Sequence, residues 1–474
     1  MTEKKQQVIL IDLPTFPKGV ISLSLLSVAS CLKDDFSVKI IDLSITPYNG
    51  FSPTDTDVLM YGLKVSSQNF SQAKALTQKL RTLAPNAKIV WGGELPSLLP
   101  DVCLEFADTV FGGLFEPIAE TFIQDLKASG LQKKYFGNNS QTAFSKPDFS
   151  LLPHPEKYYS FMGYPLETSR GCTENCFFCM KHTMQKKAYN LGEKNELNSL
   201  LPQYKGKFIN IVDYNFGVDA QHVIETANLI KQSGAVGWMA EMCIELLDKD
   251  EVLAALKDSR CKMIYCGLES IDQQSLKSVH KLNTNHIENY ERIIRKVQSY
   301  GIQIAAGIIL GLEGTHEKTF KELFAFYQRM GIIYAKLTFL TYNPGTRVHE
   351  YVKKNGSYLN EEISSYDGNQ LTYLPNGVDA QYVARGAEEF ISQYYSLWGI
   401  IARSFNTHLS VLGKVEFVLF NLCYRKVYLE WIEYNILNTP QNLQQLIEMP
   451  FSKSQTTILI EKALQWVREK RMVE

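Results

Sequence analysis

The sequence predicts an α/β protein with an N-terminal doubly wound parallel sheet, a central partial (β/α)6 barrel and a C-terminal, mainly helical domain. Three observations carry this reading. Two successive series of short β-branched runs alternate with amphipathic helical stretches, the alternation gives way to helical periodicity after about residue 350, and a tight cysteine cluster stands at the head of the second series.

The first series fills residues 1–140, with strands expected at 8–13, 38–42, 58–63, 88–91 and 109–111. The first four lead into loops rich in Pro, Gly or Ser at 14–19, 44–51, 64–70 and 92–100. Ligands of open parallel sheets bind outside the carboxyl ends of the strands, which makes these loops candidate binding elements. Gly92 and Gly93 either admit something flat against the backbone or make a tight turn. Residues 141–163, rich in Asn, Ser, Pro and Tyr, read as a linker. The second series spans 164–350, with strands at 165–169, 208–212, 236–242, 263–268, 302–310 and 334–341 and helices such as 220–233 and 286–299. Six such units fit an open barrel better than a closed eight-fold one. In the last part, 351–474, the stretches 381–404 and 411–437 have helical period and many aromatic residues.

Across 474 residues, 49 Lys and Arg balance 50 Asp and Glu, so no bulk charge draws the chain to nucleic acid or anionic lipid. The N-terminus lacks the apolar segment of a secretory signal and no run approaches a membrane span, so a cytoplasmic location is expected. Nine cysteines are too dilute for a disulfide scaffold, yet Cys172, Cys176 and Cys179 crowd into eight residues. This spacing lets one loop present three thiolates to three irons of a cluster and leave the fourth iron open. A zinc site is the other reading, with His182 as its fourth ligand. Cys31, Cys103, Cys243, Cys261, Cys266 and Cys423 read as buried thiols.

The CxxxCxxC loop following a strand resembles the signature of the radical S-adenosylmethionine (SAM) superfamily, and further motifs follow in order. The resemblance implies that Cys172, Cys176 and Cys179 hold a 4Fe-4S cluster, that SAM chelates the fourth iron and is cleaved to a 5'-deoxyadenosyl radical, and that Phe178 packs near the adenine. Cys266-Gly267-Leu268-Glu269-Ser270 resembles the family's strand end at SAM, which implies contacts from Glu269 and Ser270; Ser270 also reads as a helix N-cap beside an incidental Glu. The run from Gly307 to Gly314 resembles the glycine-bearing fifth strand, placing Gly307 and Gly311 at the adenine, although Glu313 stands where relatives usually have proline. Asp213-Tyr214-Asn215-Phe216 resembles a D-x-x-F element facing SAM or substrate, so Asp213 and Glu269 are the candidate catalytic residues. Asn343-Pro344-Gly345-Thr346 resembles the turn that ends such barrels.

A doubly wound domain ahead of such a barrel resembles the cobalamin-binding subgroup of radical SAM enzymes, over residues 1 to about 440. It implies cobalamin near Pro14, Gly19, Ser66, Gly92 and Gly93, with Gly112-Gly113-Leu114-Phe115-Glu116 a partial counterpart of the subgroup's GEGE element. The first histidine is His154, so this domain offers cobalt no imidazole. The implied activity is methylation of an unactivated carbon of a small molecule or lipid, fed by a reductant such as flavodoxin or ferredoxin. Cyclisation or rearrangement with the same cofactors, a non-catalytic metal or cobalamin sensor, and an N-terminal domain that only docks a partner are the rival readings. The stretch 411–437, with Phe417, Phe420, Tyr424, Tyr428 and Trp431 among Lys414, Arg425 and Lys426, reads as a core helix or as one resting on a membrane surface. Tyr366-Asp367-Gly368 reads as a surface turn or as part of a cavity lining. Fold alone does not specify the substrate.

Overall fold

A computed structural model describes residues 5–15, 17–46, 58–137, 144, 146–174, 176–181, 184, 189–355, 362–437 and 455–470, the side chains of 355, 427–437, 455–459 and 470 excepted. The N-terminal sheet comprises β1 (Gln7–Asp12), β2 (Ser37–Asp42), β3 (Val58–Lys64), β4 (Lys88–Gly92), β5 (Thr109–Gly113) and β6 (Lys134–Gly137). All pairs are parallel and the order is β2-β1-β3-β4-β5-β6. Strand order reverses between β1 and β3, so the crevice that such sheets offer to ligands opens above those two strands. β6 is the one strand of this sheet that the periodicity did not announce: only Tyr135 of its four residues is buried, so it has no apolar run.

The second sheet comprises β7 (Tyr164–Leu166), β10 (Phe208–Ile211), β11 (Gly237–Glu241), β12 (Cys261–Glu269), β13 (Gln303–Leu310) and β14 (Tyr334–Phe339), parallel and in that order. It is the expected six-unit open barrel. β8 (Ser169–Gly171) and β9 (Tyr189–Leu191) form a separate antiparallel hairpin. The single strand expected at 165–169 is therefore two, split at Glu167 and Thr168. Between barrel strands, helices turn one apolar stripe inward; Ile287–Ser299 buries Tyr290, Ile293, Ile294 and Val297 at the spacing of one helix face.

The linker is packed. Residues Phe149–Leu151, Pro155–Lys157 and Ser160–Met162 make three short 3-10 turns, and Phe149, Tyr158, Tyr159 and Phe161 join one core that runs from the N-terminal sheet through the barrel to the C-terminal helices. Those helices are Ala380–Tyr394, Leu397–Phe405, Val411–Leu437 and Gln455–Lys470. The helix expected over 381–404 breaks at Ser396, whose hydroxyl accepts from the Gly399 N–H and starts a new helix. Arg468 joins the last two helices through Glu416 at 3.0 Å and lies over the Phe208 ring of the barrel. Among the described residues no helix is long and apolar enough to cross a membrane.

Candidate functional site

Cys172, Cys176 and Cys179 lie between β8 and β9, whose antiparallel pairing makes a hairpin and anchors this stretch at its base. Three carboxylates fix that base. Asp213, immediately after β10, accepts the Thr168 N–H at 2.7 Å on Oδ1 and the hydroxyls of Thr168 (2.6 Å) and Ser169 (2.5 Å) on Oδ2. Burial pushes its carboxyl upward, and these three bonds oppose the shift. Asp213 lines the central cavity, yet both of its oxygens are occupied, and what they hold is the entry to the cysteine loop. Glu116 of the N-terminal domain takes Arg170 at 2.8 Å, and Glu167 takes the same guanidinium at 2.8 Å. The Gly112-to-Glu116 element thus meets the barrel two residues before Cys172.

The three thiols are half-buried, and Cys172 and Cys179 face the cavity. Burial raises all three, Cys176 to about 12, while the Lys281 ammonium beside them works the other way. Among the described residues no three His, Cys, Asp or Glu side chains converge on a single ion. A cluster in which each thiolate takes a different iron does not ask for that convergence. His182, the zinc alternative's fourth ligand, lies outside the described residues.

The strand end at β12 departs from regular pairing. Register slips between Gly267 and Glu269, and Glu269 adopts φ +60. Its carboxylate folds back over Gly267, where a Cβ would stand 2.3 Å from Oε1. Lys281 approaches it at 3.6 Å, both groups nearly enclosed. Ser270 is not the helix cap: its hydroxyl accepts the Asp272 N–H, and Asp272 caps Gln273–Ser278 by accepting from Ser275 at 2.7 Å. At Gly307 a Cβ would lie 2.2 Å from the Tyr265 hydroxyl, so the glycine makes room for Tyr265. Gly311 turns the chain at φ +79 after β13. Phe178 packs with Ile309, Leu312 and Leu340 at the barrel mouth, next to these turns.

Around the crevice of the N-terminal sheet, Pro14 is buried and Gly19 ties two loops, its N–H reaching Ser44 Oγ and its carbonyl accepting from Tyr159. Ser66 opens the turn Ser67–Asn69 by donating its N–H to Asn69 Oδ1. Gly93, at φ +117, lies so close to Val65 that a Cβ would stand 2.7 Å from its carbonyl oxygen. The close approach is therefore made by the chain's own β3 loop. At Gly92 a Cβ would find ordinary contact with Phe111. Not singled out in the sequence is a buried cluster at the strand ends: Asp12 pairs with Lys64 at 3.1 Å, and Asp42 binds Ser44 and Tyr158. Part of the loop 44–51 lies outside the described residues.

One cavity of about 720 Å³ joins these parts. Pro17, Val20 and Gln68 line it from the N-terminal domain, Cys172 and Cys179 from the cysteine loop, Glu241, Tyr265 and Lys336 from the barrel, and Tyr395, Phe420 and Tyr424 from the C-terminal helices. Glu241 and Lys336 are functional candidates that sequence reasoning missed; the available signal was a charged residue on the inward face of an otherwise apolar strand. Burial raises the Glu241 carboxyl to about 7, with Lys336 the leading charge opposing it. The Asp367 turn also lines the cavity. In the helix 411–437, Phe417 and Phe420 are buried and Tyr424 faces the cavity, so its aromatic face is core; Tyr428 and Trp431 fall outside the described side chains. The Asn343-to-Thr346 turn docks on the N-terminal domain, a Cβ at Gly345 falling 2.5 Å from the Leu98 carbonyl oxygen.

An open six-stranded barrel carrying a three-cysteine hairpin at its mouth defines a radical SAM domain, and residues 166–327 match the model of the Radical SAM superfamily. The resemblance extends beyond this domain. Bacteriochlorophyllide d C-12(1)-methyltransferase of Chlorobaculum tepidum is 24% identical over 411 residues, covering 84% of this chain and 87% of the relative. The cobalamin-dependent SAM radical enzyme OxsB, solved with aqua-cobalamin and SAM, superposes with a TM-score of 0.66 at 16% identity over 99% of this chain and 80% of its own. The radical SAM methyltransferase TsrM of Kitasatospora setae, solved with cobalamin and a [4Fe-4S] cluster, gives 0.60 at 13% identity over 82% and 89%. Residues 166–327 thus form a radical SAM domain, and methyltransferases are among the proteins the chain resembles.

Proposed function

We propose that this enzyme transfers a methyl group to an unactivated carbon of a small molecule held in the central cavity, using a 4Fe-4S cluster, SAM and cobalamin. The observation that carries the reading is the single cavity shared by the loops of the N-terminal sheet, the cysteine hairpin and the barrel interior. Bound there, cluster and SAM supply a carbon-centred radical and the corrin supplies the methyl group.

The donor sets suit these groups. Cys172, Cys176 and Cys179 hold the cluster, with Asp213 and Arg170 fixing the hairpin that carries them. Glu269 and Ser270 at the end of β12 offer acceptors to SAM's polar parts, and Phe178 with the apolar cluster it packs against offers a wall to its aromatic part. Pro14, Gly19, Ser66, Gly92 and Gly93 shape the loops above the crevice between β1 and β3, and Pro17, Val20 and Gln68 carry that surface to the cavity. No histidine precedes His154, so cobalt takes no imidazole from this domain. The C-terminal helices close the far side of the cavity and exclude water. The substrate is a small molecule or a lipid, and the electron comes from a flavodoxin or ferredoxin in the cytoplasm.

The test is anaerobic reconstitution with iron, sulfide and hydroxocobalamin, followed by metal counts and turnover with methyl-labelled SAM. About four irons and one cobalt per chain, and label in a product carbon, are expected. Iron without cobalt, or product without label, would overturn methyl transfer; zinc in place of iron would overturn radical chemistry.

A further inference from the structure

Deep in the barrel, strand registry aligns side chains into layers. Glu241 lies beside Tyr265, Tyr265 beside Ala305 and Ala305 beside Tyr334. Two residues nearer the carboxyl ends, on the same inward face, Gly267, Gly307 and Lys336 stand in line. Tyr265 leans across from the first layer to the second and rests its hydroxyl over Gly307, the neighbour of Lys336. A carboxylate, a phenol and an ammonium thus form one polar row on the inner wall.

Glu241 and Lys336 are unusual in what they lack. Among the described residues neither makes a hydrogen bond or ion pair, and both keep much of their surface bare toward the cavity although they sit inside the barrel. Holding charges inside a protein without partners is costly, and the cost is recovered when a ligand supplies the partner. Along the β14 edge of the cavity the character is the reverse. Tyr424 gives its hydroxyl to that of Tyr334 at 2.6 Å, and Tyr395 spends its hydroxyl on the Ala335 backbone. With Phe420 they present mainly ring surface.

We propose that Glu241, Tyr265 and Lys336 recognise the polar end of the substrate, an amphipathic small molecule. It brings an anionic group to Lys336 and a hydrogen-bond donor to Glu241, and its apolar body lies on the floor made by Tyr334, Tyr395, Phe420 and Tyr424. A carboxylate only accepts and an ammonium only donates, which fixes the polarity of the two contacts. This rests on the cavity being the substrate chamber.

The test is equilibrium dialysis of the reconstituted full-length enzyme without reductant, so that no turnover is required. The probes are 2-naphthoate, 2-naphthylmethylammonium and neutral 2-naphthylmethanol. Lys336→Met is expected to weaken the anion about tenfold and Glu241→Gln the cation about tenfold, the size of one charged hydrogen bond, with the neutral probe unchanged in both. Equal binding of all probes by both variants overturns the proposal. So does a variant that loses all three probes, or one that loses SAM, which would assign the residue to the cofactor. Failure of methyl transfer itself is read separately, from cobalt content and labelled product.

Discussion

Arg170 of the barrel and Glu116 of the N-terminal domain meet at 2.8 Å in a pocket that leaves 5% and 9% of their side chains exposed. Arg170 also lies 4.6 Å over the Phe144 ring and binds Glu167. The pair joins the domain above the barrel to the strand that carries Cys172. Removing Arg170 strands Glu116 and Glu167 in the interior, at about 3–5 kcal/mol, whereas removing the Glu116 charge leaves the guanidinium on Glu167 and costs less. Glu116→Gln and Arg170→Met are therefore expected to lower the denaturation midpoint, and Arg170→Met to lose iron after reconstitution as well. Chemical unfolding with iron counts on the same samples checks both.

Much of this architecture was legible because it is written in periodicity. Buried strands such as β13, whose eight residues are all enclosed, read as apolar runs, and the helices between them show one apolar face. The cysteine spacing named the loop outright. What escaped was set by three-dimensional neighbours. β6 is short and begins with Lys134 after Lys133, and the break at Glu167 and Thr168 exists because Asp213, 45 residues from Thr168, draws the chain aside. That Gly307 also berths Tyr265 is visible only in three dimensions. Glu241 and Lys336 lie 95 residues apart and belong to one row only through the registers of β11, β12, β13 and β14.

Gly93 tests the loops above the N-terminal sheet. Its φ of +117 and the 2.7 Å clearance to the Val65 carbonyl oxygen leave no room for a methyl group. Gly93→Ala is expected to cost about 1–3 kcal/mol in strain and to displace the β3 loop that carries Ser66 and Gln68. Cobalt retained after desalting should fall while iron stays unchanged. Gly92→Ala, which meets only ordinary contact at Phe111, serves as the paired control.

Asp42 gives a pH signature. Burial, reinforced by the neighbouring Asp12, raises its carboxyl to about 6, against the hydrogen bonds from Ser44 and Tyr158. A raised folded-state value means that the protonated form is the one folding favours. The stability it contributes is whole below about pH 4, the unfolded value, and is lost as pH rises through about 6. Asp42→Asn is expected to stabilise the protein by up to about 3 kcal/mol at pH 8 and by nothing at pH 4. Denaturation at the two pH values measures the difference; equal effects at both would remove the titration from the explanation.

Asp213 separates holding a loop from touching a ligand. Three donors from Thr168 and Ser169 converge on it, and the Thr168 hydroxyl has a second neighbour in His222 Nε2 at 3.0 Å. Asp213→Asn keeps an oxygen for the Thr168 N–H, and both hydroxyls can rotate to accept from the new amide. Asp213→Ala removes the acceptor of the Thr168 N–H and the Ser169 hydroxyl, at about 1–3 kcal/mol each where water does not reach them, while the Thr168 hydroxyl can turn to His222. If Asp213 positions the hairpin, the Asn variant keeps its iron and its SAM cleavage, whereas the Ala variant loses iron and cleavage together. An Asn variant with full iron and no SAM cleavage would instead make this carboxylate a direct contact of cofactor or substrate. Iron counts and 5'-deoxyadenosine formation, measured on the two variants side by side, decide between those roles.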